Sequence, residues 1–259
     1  MAPRESGFSI LEMTVALTIM LAATAGVFAL VLPSHGSFAS QPEAADMQQR
    51  MRVAADAISR DLLMAGAGGY VDRGPLTDRL APIRPYRAGA LRADPPGTFK
   101  SDTITVLSMP RSAGAVTVQS ATYWQQNDIA TGTYQLMFYD GSPSGADVPV
   151  VDHVVALSFE YYGDPQPLDD GPRLVKLAAA QLTDGPWCPD DGAADRWDAD
   201  LIRIRRVAVT LRVEAAVASL RGPASALFTH GGTSRGGHAW VPDIEVRFDI
   251  SPRNLNLSR

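Results

Sequence analysis

The chain has one cysteine, Cys188, among its 259 residues, so no disulfide can form within it. It also lacks an excess of basic side chains. Its 23 Lys and Arg residues stand against 28 Asp and Glu residues, which gives a formal net charge of −5. A chain of this charge has no basic footprint for the phosphates of a nucleic acid, and no nucleic-acid partner is predicted. No internal repeat and no low-complexity linker long enough to separate two domains is visible.

Charge is also missing from one long run near the N-terminus. Twenty uncharged residues, 13–32, follow the sequence Gly7-Phe8-Ser9-Ile10-Leu11-Glu12, and a run of this kind predicts a membrane-spanning helix. The residues before it are too few and too polar for the apolar region of a secretory signal peptide, and the small residue precedes the apolar run instead of following it. A carboxylate within a bilayer costs about 2.5–3.5 kcal/mol on insertion scales. We therefore expect Glu12 to have a function.

This junction resembles the class III leader of type IV pilins and of type II secretion pseudopilins. The resemblance implies that a prepilin peptidase cleaves between Gly7 and Phe8 and that the new amino group of Phe8 is N-methylated. It also implies that Glu12, the fifth residue after cleavage, pairs with the N-terminal ammonium of a neighbouring subunit in assembly. The alternative is a single-pass anchor that carries Glu12 by chance. The leader itself contains Arg4 and Glu5, so its positive-inside signal is weak.

Beyond the apolar run, Pro33 and Gly36 predict that the first helix ends, kinks or melts. Ser40 and Glu43 have the spacing of a capping box, so helix is expected to resume there. Glycines at 66, 68 and 69 are expected to stop it. An apolar stripe at helical spacing predicts a face packed on a sheet, formed by Met47, Met51, Ala54, Ile58, Leu62 and Ala65.

After residue 70 the pattern changes to short alternating runs, which predict β-strands. A bulge is expected at Arg205-Arg206, where the alternation changes parity. One long helix followed by an antiparallel, meander-like sheet predicts an α+β roll, and the resemblance of the leader implies that this roll is pilin-like. The predicted strands are Thr103–Ser108, Ala115–Ser120, Thr133–Tyr139, Val148–Tyr162, Arg173–Ala178, Leu201–Glu214 and Ile244–Ile250.

Within the pilin superfamily, several stretches resemble PilW-type minor pilins. They are the run from Arg60 to Gly66, the strand from Asp152 to Tyr162, the segment from Arg205 to Leu211 and the ending from Pro252 to Leu257. The resemblance implies a prepilin leader at 1–7, a transmembrane and filament-core helix at 8–32, the second half of the N-terminal helix at 33–69 and a β-rich head at 70–259.

The function so implied is that of a minor pilin of a type IV pilus, acting by assembly and not as an enzyme. Its implied partners are the prepilin peptidase, the inner-membrane assembly platform and other minor and major pilins. It would lie in the inner membrane with a cytoplasmic N-terminus and a periplasmic head, and then in a filament. Two alternatives are a J-type minor pseudopilin of a type II secretion system and a membrane-anchored domain of other function.

Two other features of the sequence suggest different functions, a hydrolase pattern and an acidic loop. Gly232 to Gly236 fits the hydrolase pattern G-x-S-x-G, but the acid and histidine order that this motif needs downstream is missing. No cofactor is predicted. An acidic loop around Trp187, Cys188 and Trp197 is interpreted as solvated and not as a metal site, although carboxylates at this density suit calcium. The calcium candidates are Asp190, Asp191, Asp195, Asp198 and Asp200.

Overall fold

In a computed structural model, the chain is an α+β fold in which one long N-terminal helix packs on antiparallel sheets. The predicted fold class is confirmed. The structure describes residues 9–68, 81–91, 93–95, 97–109, 111–112, 115–116, 118–128, 130, 132–164, 174–189, 196–221 and 241–255. At 30–39, 111–112, 115–116, 133, 188–189 and 196–197 it describes the backbone alone.

The helix, α1, spans Ile10–Met64 and contains 55 residues. Ser9 is its N-cap, with Oγ accepting a hydrogen bond from the Leu11 N–H at 3.3 Å. Gly66 and Gly68 follow its end with positive φ, a conformation that glycine adopts without steric cost. At Gly68 a Cβ would lie 1.8 Å from the carbonyl oxygen of Met109. The predicted stop at these two glycines is confirmed, and Gly69 lies outside the described residues.

The predicted end of the first helix near Pro33 and its restart at Ser40 are wrong, because helical backbone continues through Pro33, Gly36 and Ser40. A proline in a helix interior costs about 3 kcal/mol and removes one N–H donor. Long helical segments on both sides of Pro33 offset this local cost, so the helix continues through it. Ser40 therefore lies inside α1 and is not the N-cap of a helix. Glu43, the other half of the predicted capping box, contacts the head instead.

Two main sheets make up the head, and all of their strand pairs are antiparallel. The strands in the described residues are β1 (Ile83–Arg84), β2 (Thr103–Ser108), β3 (Arg111–Ser112), β4 (Ala115–Val116), β5 (Gln119–Asp128), β6 (Thr133–Tyr139), β7 (Val148–Asp152), β8 (Val154–Gly163), β9 (Val175–Lys176), β10 (Trp187–Pro189), β11 (Arg196–Asp198), β12 (Ile204–Val213) and β13 (Ile244–Ile250). One sheet has the order β1-β2-β5-β6-β7 and the other β13-β12-β8-β9, while β3-β4 and β10-β11 are small hairpins.

The predicted apolar stripe of α1 is the core face of the helix. Its six residues are at most 5% exposed, and α1 packs on β12 and β13 of one sheet and on β2 and β7 of the other. The core therefore lies between the C-terminal half of α1 and both sheets. Four short 3-10 helices complete the described structure: Ala180–Leu182, Ala199–Arg203, Ala218–Leu220 and Arg253–Leu255.

Three predicted strands, β2, β6 and β13, have the predicted bounds. The bulge at Arg205-Arg206 is also confirmed, because the register of β12 against β8 shifts between Ile204 and Arg206. The predicted strand Val148–Tyr162 is two strands in different sheets, divided at His153, whose φ is +61°. That single left-handed residue lets the chain leave the edge of one sheet and enter the interior of the other.

Three further strand predictions differ from the structure in their extent. The predicted strand Ala115–Ser120 contains only the two-residue β4 and the start of β5, which runs on to Asp128. The sequence pattern missed β5 because most of its side chains are polar. The start predicted at Leu201 is replaced by the 3-10 helix Ala199–Arg203. In the described part of the predicted strand Arg173–Ala178, residues 174–178, the strand β9 covers Val175–Lys176.

Candidate functional site

The N-terminal part of α1 is apolar around its whole circumference and packs on none of the described residues of the head. Residues 10–29 have a mean hydropathy of 1.9, none of them is buried, and Ile10 is 85% exposed. At 1.5 Å per residue, 20 helical residues span about 30 Å, the thickness of a bilayer's hydrocarbon core. By length and composition this is the one helix in the described part of the chain that could cross a membrane.

The hydroxyl groups of this segment are satisfied within the helix. Thr14 Oγ1 donates to the carbonyl of Leu11 at 2.8 Å, Thr18 Oγ1 to that of Val15 at 2.8 Å, and Thr24 Oγ1 to that of Met20 at 2.7 Å. These bonds remove the cost of placing a hydroxyl in an apolar medium. The polar side chains of the segment are therefore compatible with lipid or with packed helices, with one exception.

The exception is Glu12, which lies in the first turn of α1 with an exposed side chain. Within the described residues its carboxylate has no hydrogen-bond or ion-pair partner. With Ser9, Leu11 and Val15 it borders a shallow groove of about 530 Å³. A carboxylate at a helix N-terminus gains about 0.3–1 kcal/mol from the helix dipole. This gain is smaller than the insertion cost of about 2.5–3.5 kcal/mol, so the helix alone does not account for Glu12.

The other residues predicted at this junction, Gly7 and Phe8, lie outside the described residues. Their proposed roles in cleavage and N-methylation, like the assembly role of Glu12, remain predictions. The structure places Glu12 in the first turn of α1, close to the first described residue, Ser9.

Two of the five calcium candidates lie in the described residues, and both have structural partners. Asp198 is 2% exposed and accepts hydrogen bonds from the N–H groups of Gly185 at 2.7 Å and of Asp200 at 2.8 Å. Asp200 pairs with Arg203 at 3.3 Å, and its pKa is raised chiefly by burial. Asp190, Asp191 and Asp195 lie outside the described residues, as does the G-x-S-x-G sequence. Within the described residues no three metal-ligating side chains converge.

A buried ion pair that sequence reasoning missed fixes α1 on the head. Glu43 is 7% exposed; it pairs with Arg50 at 3.2 Å and accepts a hydrogen bond from the Ala216 N–H. Arg50 also bonds Asp46 on the helix and the carbonyl of Glu214 at 3.3 Å. The seven-residue spacing of Glu43 and Arg50, which places both on one helix face, was the available signal. These contacts set where the head begins on α1, and hence how much helix projects from it.

No protein-family model matches the chain, and a search of curated proteins gave no match. Among solved structures, the chain is similar to a type IV-like pilin from Thermus thermophilus. The identity is 14%, the comparison covers 80% of this chain and 97% of that one, and the TM-score is 0.37.

Proposed function

We propose that the chain is a minor pilin of a type IV pilus, which is cleaved after Gly7 and joins a filament through residues 8–32. The head at 70–259 stays outside the membrane, and the second half of the helix at 33–69 joins the two parts. The supporting observation is Glu12: one exposed carboxylate, without a partner in the described residues, at the start of the segment 10–29, which carries no other charged side chain.

The energetics of Glu12 favour assembly over anchoring alone. An unpaired carboxylate in an apolar medium is unfavourable, whereas the same group next to an ammonium is strongly attracted to it because the surrounding dielectric is low. Cleavage after Gly7 would create such an ammonium on Phe8. A subunit whose Glu12 meets the Phe8 amine of a neighbour therefore gains free energy by docking in the filament core.

The proposed membrane topology determines which partners the chain meets first. In the proposed topology residues 1–7 lie in the cytoplasm and the head in the periplasm, with the inner membrane around residues 8–32. The prepilin peptidase would act first, and the inner-membrane assembly platform and the other minor and major pilins would be the later partners. The role is one of assembly, and no enzymatic step is assigned to the head.

The first experiment is the intact mass of the full chain recovered from membranes of cells with and without a prepilin peptidase. We expect a loss of residues 1–7 and a gain of one methyl group, only when the peptidase is present. A full-length mass that includes Met1 in both strains would contradict the proposal. The alternative of a membrane-anchored domain of other function would then remain.

The same junction also fits a J-type minor pseudopilin of a type II secretion system. The two machines are distinguished by co-purification of the processed chain, under mild detergent, with defined subunits of each. Recovery with pilus subunits supports the proposal, and recovery with pseudopilins alone supports the alternative.

A further inference from the structure

The head contains a groove at the C-terminal end of α1, far from the segment that carries Glu12. We call it the distal groove. At 1.5 Å per residue, a straight helix would place Asp61 about 70 Å from Glu12. The cavity has a volume of about 390 Å³ and is lined by Asp61, Met64, Val106, Ser108, Val118, Gln119, Ser120, Ala121, Phe138, Asp140 and Ser142.

The distal groove carries negative charge that its own lining does not neutralise. Asp61 and Asp140 line it, and no Lys, Arg or His is among its lining residues. The nearest basic residue along the helix, Arg60, pairs with Asp56 at 2.5 Å and is 71% exposed. Asp140 accepts a hydrogen bond from the Ser142 N–H at 3.0 Å, which lowers the pKa of its carboxyl. Its carboxylate is therefore charged at neutral pH.

The second carboxylate is held in place from inside the head. Tyr123, on β5, donates its hydroxyl proton to Asp61 Oδ2 at 2.6 Å. Burial and this hydrogen bond raise the pKa of Tyr123 above its ordinary value, so the phenol remains a donor throughout the neutral range. A donor fixed in this way orients the Asp61 carboxylate without giving it a compensating positive charge.

Apolar surface lies beside these two carboxylates. Met64 is 44% exposed and Val118 is 37% exposed, and the partly buried ring of Phe138 packs against Tyr123 at a centroid distance of 5.3 Å, with the two rings tilted by 52°. A surface that combines aliphatic side chains with two carboxylates, and that has no cation among its lining residues, complements a long aliphatic stem ending in a cation. Lysine and arginine side chains have this shape and polarity, because they bury their methylenes and keep their charged ends at polar groups.

We propose that the distal groove seats a lysine or arginine side chain of a partner protein, with the cation at Asp61 and Asp140 and the stem on Met64 and Val118. This is a contact of the head, and it goes beyond the assembly role of the N-terminal helix. It does not depend on that role, since it is tested on the isolated subunit.

The test is a titration of the full chain, in detergent micelles, with Nα-acetyl-lysine N-methylamide, followed by the ¹³C-methyl NMR signals of methionine. Met64 reports on the groove and is assigned with Met64→Leu, while the buried Met47 and Met51 serve as internal references. We expect a saturable shift of the Met64 signal alone. The norleucine analogue, which has the same stem without the charge, should leave the signal unmoved.

Two variants remove the charge of one groove carboxylate each while keeping the hydrogen bond that this carboxylate accepts. Asp61→Asn keeps an oxygen for Tyr123, and Asp140→Asn keeps one for the Ser142 N–H. Each should raise the dissociation constant about fivefold, a change in the range of exposed ion pairs. Asp56→Asn, on the same helix but outside the groove, should not change it.

The proposal is overturned by an equal shift with the norleucine analogue, by the absence of any shift, or by unchanged binding to both groove variants. An equal response to calcium chloride at the same concentration would also overturn it, because it would indicate a site for a metal cation. None of these results would bear on the cleavage at Gly7 or on the role of Glu12.

Discussion

The carboxylate of Glu43, on the helix, accepts a hydrogen bond from the backbone N–H of Ala216, 173 residues further along the chain. The same carboxylate pairs with Arg50, whose guanidinium also donates to the carbonyl of Glu214. A helix that carries an apolar stripe can slide or rotate on a sheet while remaining buried. A directional contact of this kind fixes one position for it.

We predict that Glu43→Ala lowers the free energy of unfolding by about 2–4 kcal/mol, because it leaves Arg50 and the Ala216 N–H buried without a partner. Urea unfolding of the full chain in micelles, followed by far-UV circular dichroism, measures the change. Asp46→Asn is the control, since Asp46 pairs with the same arginine but is 58% exposed. Equal effects of the two substitutions would show that burial of the pair is unimportant.

The stability of the head should depend on Tyr123 in a pH-specific way. Burial and the bond to Asp61 raise the pKa of Tyr123 above its ordinary value of 10. Because the folded state holds this proton more tightly than the unfolded state, the contribution is full below pH 10 and is lost as the pH rises above it. Each pH unit above 10 should cost the wild type about 1.4 kcal/mol from this group.

Tyr123→Phe removes the pH-dependent contribution of this hydroxyl to stability. Comparing the variant with the wild type therefore separates this contribution from the titration of the other tyrosines. At pH 8 we expect the variant to be less stable by about 1.5–3 kcal/mol, the value of a hydrogen bond to a charged acceptor. Between pH 10 and pH 11 the difference between the two proteins should shrink. A difference that stays constant over this range in urea unfolding would contradict the predicted direction of the pKa shift.

Gly68 should tolerate no side chain. Its φ is +78°, and a Cβ would lie 1.8 Å from the Met109 carbonyl oxygen, whereas Gly132 has a φ of +65° with nothing within 4 Å. Gly132→Ala should therefore cost only the backbone term of about 1–2 kcal/mol, and Gly68→Ala should cost about 3 kcal/mol or more because the helix end must also move. Thermal unfolding of the two variants tests the difference, and similar values would refute it.

Glu12→Ala should leave cleavage intact and strongly reduce incorporation into filaments. Anchoring in the membrane needs only the apolar segment, whereas docking needs the carboxylate. Immunoblots of the membrane fraction and of sheared filaments measure the two steps separately. Met13→Leu is the matched control on the same helical turn. Normal incorporation of the Glu12 variant would rule out the proposed role.

Gly7→Asp should block cleavage, because a side chain with a charge replaces the small residue at the proposed peptidase site. The precursor should accumulate in the membrane at full length, seen as a slower band in gel electrophoresis and as the full mass in mass spectrometry. A mature-sized product from this variant would show that the leader assignment is wrong.

Much of the core could be predicted because its pattern is local. The stripe from Met47 to Ala65 repeats at helical spacing, and β13 alternates between more and less exposed residues, as a strand with one solvated face does. The polar strand β5 escaped this reasoning because its neighbours on both sides, and not its own composition, make it a strand. The continuity of α1 through Pro33 was not predicted for a related reason. The cost of a proline is visible in the local sequence, whereas the long helical segments that outweigh this cost extend far on both sides of it.

The sequence by itself determined the features that depend on composition and order: an apolar span with one carboxylate at its start, a glycine before it, and a head that no disulfide within the chain can stabilise. Only the tertiary structure decided that the strands divide between two sheets at His153, that Glu43 is bound to Ala216, and that Asp61 and Asp140 face one groove. The physical reason is separation along the chain. Periodicity records how a residue relates to its near neighbours, while these contacts join residues tens to hundreds of positions apart, and only the packing of the core brings them together.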